Sequence, residues 1–193
     1  MFIQTEETPN PNTLKFIPGK QLLNTEGETF VFSKTDAKIS SQLAKNLLNV
    51  DGVDSVFYGK DFVGITKNDA SDWYLLKPYI LGLIMEHFVN GLPLFIDGVN
   101  EKLTNAVNNK DIETDNPIIA QIIELIDTRV RPAVAQDGGD IVFDSFTDGI
   151  VYLKMVGACS GCPSSHATLK SGIENMLKFY IPEIEEVRAV ENA

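Results

Sequence analysis

The sequence predicts an α/β chain of the mixed α+β kind, folded as two small domains, and three observations carry that prediction. Its 193 residues suit one domain or two small ones at roughly 100 to 150 residues apiece. Strand-like and helix-like segments alternate through residues 1–98 and again through residues 117–193. Between them, residues 99–116 hold only five apolar side chains, those of Val99, Leu103, Ala106, Val107 and Ile112. That is too little for a core, so the segment reads as a polar linker that lets the two halves move independently.

In the first half, Phe2 to Glu7 and Leu14 to Ile17 read as strands. Thr8-Pro9-Asn10-Pro11-Asn12 separates them, because two prolines without N–H groups force a turn. Thr29 to Phe32 is a third strand. Ser40 to Asn49 opens with serine as a helix cap and sets Leu43, Leu47 and Leu48 at helical spacing. Val53 to Tyr58 and Phe62 to Thr66 form a hairpin about Gly59-Lys60-Asp61. Asp72 to Asn90 is a long helix turning Leu76, Ile80, Leu83, Ile84 and Phe88 inward, with Pro78 marking either its start or a distorted first turn.

The second half opens at Asn116-Pro117, a cap residue followed by a proline whose missing N–H costs nothing at the first helical position. Ile118, Ile119, Ile122, Ile123, Ile126 and Val130 then form one apolar face on a helix ending near Arg131-Pro132. Asp140 to Phe146 and Ile150 to Val156 flank the turn Thr147-Asp148-Gly149. A helix from about Pro163 to Phe179 and a strand from Ile184 to Val190 complete an αββαβ order. Asp137-Gly138-Gly139-Asp140 reads as a glycine turn before a strand, with the aspartates as turn and cap residues, and Trp73 as an anchor between helix and sheet.

Composition narrows the function. With 16 Lys plus Arg against 27 Asp plus Glu, the formal charge is −11. There is no basic block to displace counterions from nucleic acid, and anionic membranes repel such a chain. The longest apolar run, Tyr79 to Met85, is far short of the roughly 20 residues that span a bilayer. The first residues, with Glu6 and Glu7 among them, resemble neither a secretory signal nor a transit peptide. The expectation is a bacterial cytoplasmic protein, or alternatively a mitochondrial matrix form with its presequence removed.

The chemistry concentrates on the only two cysteines, Cys159 and Cys162. A pair this close closes too small a loop to staple a fold. The thiolate is the reactive form, and the N-terminus of the following helix favours negative charge. Cys-x-x-Cys suits a redox dithiol, half a zinc site or half an iron–sulfur site. A cluster or a structural zinc usually takes four protein ligands, which a symmetric pair of chains can supply. His166 is a candidate further ligand, although its ordinary reading is a solvated side chain, and His87 reads as packing. A thioredoxin-like frame needs several strands and helices after the motif, and too little chain follows Cys162 for that.

Gly157-Ala158-Cys159-Ser160-Gly161-Cys162-Pro163-Ser164-Ser165, followed by Thr168-Leu169-Lys170, Gly172-Ile173-Glu174 and Asn175-Met176-Leu177, resembles the NifU-like C-terminal domain of the Nfu iron–sulfur proteins. Arg131-Pro132 and Asp137-Gly138-Gly139-Asp140 match it too. The first half is similar to the Nfu N-terminal domain through Thr8-Pro9-Asn10-Pro11-Asn12, Leu14-Lys15-Phe16, Asp72-Trp73 with Leu75-Leu76-Lys77-Pro78, and Gly91-Leu92-Pro93-Leu94. The resemblance implies a non-enzymatic carrier in which Cys159 and Cys162 ligate a 4Fe-4S cluster shared by two chains. An upstream donor would supply the cluster, apo iron–sulfur proteins would receive it, and the loaded form would be a homodimer. The implied domains are an Nfu N-terminal-like domain over 1–98, a linker over 99–116 and the cluster domain over 117–193. The competing reading is a dithiol oxidoreductase using the same cysteines, and a zinc-bridged dimer stands third.

Overall fold

Alternation of apolar and polar residues builds the first sheet strand by strand. In the computed structural model, β1 (Gln4–Glu7), β2 (Thr13–Ile17), β3 (Thr29–Ser33), β4 (Val53–Tyr58) and β5 (Val63–Lys67) are joined by a short β6 (Ala106–Val107). The sheet order is β1-β2-β5-β4-β3-β6 with every pairing antiparallel. The structure describes residues 2–23, 28–36, 38–96, 106–107, 109, 112, 114–160 and 163–190, with the backbone alone at 106–107 and 163–166. One face of the sheet is covered by α1 (Gln42–Leu48) and α2 (Trp73–Val89), which bury Leu43, Leu47, Leu76, Ile80 and Ile84 against Phe16, Phe32, Val56 and Ile65.

The caps explain where these helices start. Ser41, one residue beyond the expected serine, accepts from the Ala44 N–H at 3.2 Å and shares a 2.7 Å hydrogen bond with the Tyr58 hydroxyl. Asp72 accepts from the Tyr74 N–H at 2.8 Å and opens α2. Pro78 therefore lies inside α2 and marks neither end of it. Its missing N–H deprives the Tyr74 carbonyl of its helical partner, and both residues are exposed, which leaves that carbonyl open to water.

His87 is 3% exposed in α2, packed edge-on against Phe88. Burial, and secondarily the charge of Lys20, holds its pKa below the usual histidine value. The unfolded chain thus binds a proton that the folded chain refuses. This contribution to stability is complete above the unfolded pKa of about 6.5 and is lost as the pH falls below it. The stability margin of the parent over His87→Leu should narrow between about pH 7 and pH 5.5, as read by denaturant titration of the fluorescence of Trp73, the sole tryptophan.

The second half departs from expectation at its first helix. After α3 (Pro117–Leu125) the chain widens into a π-helical turn, Ile126–Val130, and continues as α4 (Arg131–Gln136). The helix does not end at Arg131-Pro132. A proline clashes with the carbonyl four residues back and offers it no donor, and a π-turn just before it opens the spacing that lets the helix pass. Beyond it, β7 (Gly139–Thr147) and β8 (Ile150–Gly157) form a hairpin, and β9 (Glu186–Val190) pairs parallel to β8 after α5 (Pro163–Tyr180). Asp148 and Gly149 both have positive φ, 50° and 76°, the primed turn that suits the twist of a two-residue hairpin. Ile122, Ile126, Val134, Ile141, Leu153, Ile173 and Leu177 fill the core. Counting α3, the π-turn and α4 as one bent helix, the αββαβ order and the α+β class hold.

The segment read as a bare linker carries structure. Val107 and Ala106 pair with Thr29 and Phe30, adding an edge strand to the first sheet. Asn109 is 2% exposed and donates to Asp127 at 2.8 Å while accepting from the Phe143 N–H at 2.9 Å. The described residues of this segment thus pair with both halves. No helix among the described residues is long and apolar enough to cross a membrane.

Candidate functional site

Cys159 sits in the turn that leaves β8, and glycines decide how close it can come to β7. Gly157 has φ 63°, a left-handed conformation that turns the chain out of the strand. The Ala158 N–H then donates to the Gly138 carbonyl at 3.1 Å, and the Ser160 N–H to the Gly157 carbonyl at 3.0 Å. A Cβ at Gly139 would collide with the Cys159 Sγ and lie 2.8 Å from its backbone nitrogen. The Asp137-Gly138-Gly139-Asp140 run, expected to be a bland turn, is therefore the bed on which the cysteine loop lies. Gly139→Ala should push Cys159 out of place at a cost of about 1 to 3 kcal/mol. The outcome to look for is retained far-UV circular dichroism together with a marked fall in iron bound after anaerobic reconstitution.

The bed is held by a buried ion pair. Arg131, on α4 because the helix passes Pro132, donates from Nε to Asp140 Oδ1 at 2.8 Å and from Nη2 to Oδ2 at 2.7 Å. Its Nη1 reaches Asp127 at 3.2 Å. Asp140 is 1% exposed and also accepts from the Ile141 N–H at 2.7 Å and from Thr29 Oγ1 at 2.5 Å. Burial alone would lower the Arg131 pKa, but the hydrogen bonds and charges of Asp140 and Asp127 outweigh it and hold the guanidinium above its usual value. Asp140 is thus a buried charge partner, with no part in capping a turn at the surface. This network was not anticipated from the sequence, although i,i+4 spacing of Asp127 and Arg131 on one helix was a usable signal.

Beside the loop is a cavity of about 360 Å³ lined by Pro9, Val134, Asp137, Ala158, Cys159, Thr168 and Leu169. Cys159 is 5% exposed at its edge. Cys162 lies outside the described residues. So does the side chain of His166, whose backbone belongs to the first turn of α5. Among the described residues, no three His, Cys, Asp or Glu side chains converge on a common point that could hold a metal ion.

The first half of the chain contributes to this site as well. Asn10, in the turn between β1 and β2, donates from Nδ2 to the carbonyls of Ala158 at 3.2 Å and Ser160 at 3.1 Å, which flank Cys159. Lys15 donates to the Gln136 carbonyl at 2.8 Å and Thr29 to Asp140. Trp73, the expected anchor, packs on Phe16 and donates from Nε1 to the Pro11 carbonyl at 3.0 Å, so it also fastens this turn.

Two family models match the chain. Residues 3–91 match the family described as scaffold protein Nfu/NifU N terminal, and residues 122–188 match the NifU-like domain. The chain is 51% identical over 191 residues to the human NFU1 iron-sulfur cluster scaffold homolog, mitochondrial, covering 98% of this chain and 72% of that protein. It is 50% identical over 193 residues to the protein of the same name from Drosophila willistoni, covering 98% of this chain and 64% of that relative, so the chain spans somewhat less than two thirds of it. A solution NMR structure of a NifU-like protein from Saccharomyces cerevisiae is 32% identical, with a TM-score of 0.45, over 50% of this chain and 86% of that one. At this level of identity and coverage, the chain belongs to the Nfu family of iron–sulfur cluster scaffold proteins.

Proposed function

We propose that this protein is a carrier that takes a 4Fe-4S cluster from an upstream donor, holds it between two chains through Cys159 and Cys162, and passes it to apo iron–sulfur proteins. The cluster is cargo, and the protein itself is not an enzyme. The observation that carries the reading is the seat of Cys159, a sulfur laid over a glycine at the edge of a cavity. That setting suits a bulky group attached to sulfur better than packing for its own sake. Each chain has two thiols and a cluster usually takes four ligands, which supports sharing between two copies. A shared cluster at a two-chain seam is also easier to surrender than one enclosed by a single chain.

The names of the relatives support a mitochondrial form over the bacterial cytoplasmic one expected from the N-terminal residues. The net charge of −11 argues against nucleic acid and anionic membranes as partners. Mixing anaerobically reconstituted protein with an apo 4Fe-4S acceptor tests the function, with visible circular dichroism following the cluster from one protein to the other. The carrier reading predicts appearance of the acceptor's signal. Catalysed reduction of a disulfide substrate without any cluster transfer would instead favour a dithiol oxidoreductase.

A further inference from the structure

We infer that the Thr8-Pro9-Asn10-Pro11-Asn12 turn of the N-terminal domain is a latch, with Asn10 holding the cysteine loop closed in the apo-chain and releasing it when a second chain approaches. The closing rests on the geometry of this chain alone. The releasing rests in addition on the reading that two chains share the cluster.

Asn10 is 3% exposed, and its side-chain amide is spent on the loop. The two Nδ2 contacts go to the carbonyls on either side of Cys159, so one planar amide spans the residue whose sulfur is to act. Pro9 forms part of the cavity wall beside that sulfur. The turn is rigid before it docks. Two prolines fix their own φ, Asn10 Oδ1 accepts from the Asn12 N–H at 3.0 Å, and Thr8 Oγ1 accepts from the Asn10 N–H at 3.2 Å. Trp73 holds the turn from behind. Little conformational freedom is therefore lost on docking, which makes a few hydrogen bonds sufficient.

Further contacts seat the same interface. Thr29 bonds Asp140, Lys15 bonds the Gln136 carbonyl, and a Cβ at Gly157 would meet the Phe57 ring at 2.9 Å, a measure of how closely β4 approaches the loop. Cys159 is 5% exposed, packed in the core of its own domain with Pro9 of the N-terminal domain on the neighbouring cavity wall. Its loop must therefore shift outward before the sulfur can join a cluster shared with another chain, and Asn10 holds the two carbonyls that would move. The arrangement is thus the resting state. The N-terminal domain limits access to Cys159, and opening of this interface precedes loading.

The test uses the full-length reduced apo-protein. Iodoacetamide labelling of Cys159, read by tandem mass spectrometry, is compared between the parent, Asn10→Asp and Thr29→Val. Asn10→Asp keeps an oxygen for the Asn12 N–H and so preserves the turn, but it has no donor for Ala158 and Ser160. Labelling should accelerate about twenty-five-fold in Asn10→Asp and about fivefold in Thr29→Val, the loss of two and of one net hydrogen bond. Trp73 fluorescence unchanged from the parent shows that the fold is kept. Anaerobic cluster loading should accelerate in the same order. Labelling rates equal to the parent in both variants would overturn the latch. Faster labelling with unchanged loading would overturn the release step. If no protein loads cluster while labelling still accelerates, the carrier reading fails and the latch stands.

Discussion

Cys159→Ser and Cys162→Ser are each expected to reduce bound iron after anaerobic reconstitution to the level of a protein without a site. Each substitution removes one thiolate from every chain, hence half of the ligands available to a cluster held by two chains. A serine hydroxyl is a far poorer ligand for iron than a thiolate, so no graded loss is foreseen. The fold should be kept, with a modest loss of stability in Cys159→Ser because that side chain is packed in the second core. Iron and sulfide analysis beside far-UV circular dichroism checks both halves of the statement. A single-cysteine variant that keeps a full complement of cluster would remove the ligand assignment.

The second large effect is on stability. Asp140→Ala leaves the Arg131 guanidinium buried with only the more exposed Asp127 to balance it. Breaking a buried ion pair from one side costs about 3 to 5 kcal/mol, because the surviving charge keeps its desolvation penalty. Replacing Arg131 and Asp140 together by Leu and Val should cost less than either single change to alanine, since no orphan charge remains. Urea titrations followed by circular dichroism measure the differences. Asp140→Ala should also disturb the cysteine loop, because Asp140 adjoins Gly139 and is reached by Thr29 from the other domain.

What could be read in advance divides along a physical line. Hairpins, helix faces and caps are local, and those over 53–67, 72–90 and 139–157 were legible because the period of apolar side chains and the turn residues lie within one segment. The end of the first C-terminal helix was misjudged because proline is ordinarily a stop. The π-turn that carries the helix past Pro132 leaves no mark in the pattern of isoleucines. The edge strand Ala106–Val107 was hidden for another reason. Two residues cannot show a period, and their partner is β3, far back in the chain.

The site was half legible. Cys159 and Cys162 stand out by spacing; the structure places Cys159 in a glycine-lined turn, and Cys162 lies outside the described residues. The roles of Gly139, Asp140 and Asn10 were not visible. Asn10 already satisfies turn chemistry between two prolines, and that local explanation leaves nothing to signal two further donors to a loop 148 and 150 residues away. Asp140 similarly passes for a turn residue until its burial against Arg131 is known. Contacts between the halves have no sequence period, so only the three-dimensional fold discloses them.

The most direct measurement of the carrier account is the stoichiometry of the reconstituted protein, with Mössbauer spectroscopy to type the cluster and native mass spectrometry under anaerobic conditions to count chains. The account predicts a 4Fe-4S signature and a dominant species of two chains with one cluster, and a monomer once the cluster is stripped. A cluster-bearing species of one chain, or a zinc-bridged pair that takes up no iron and sulfide, would contradict it.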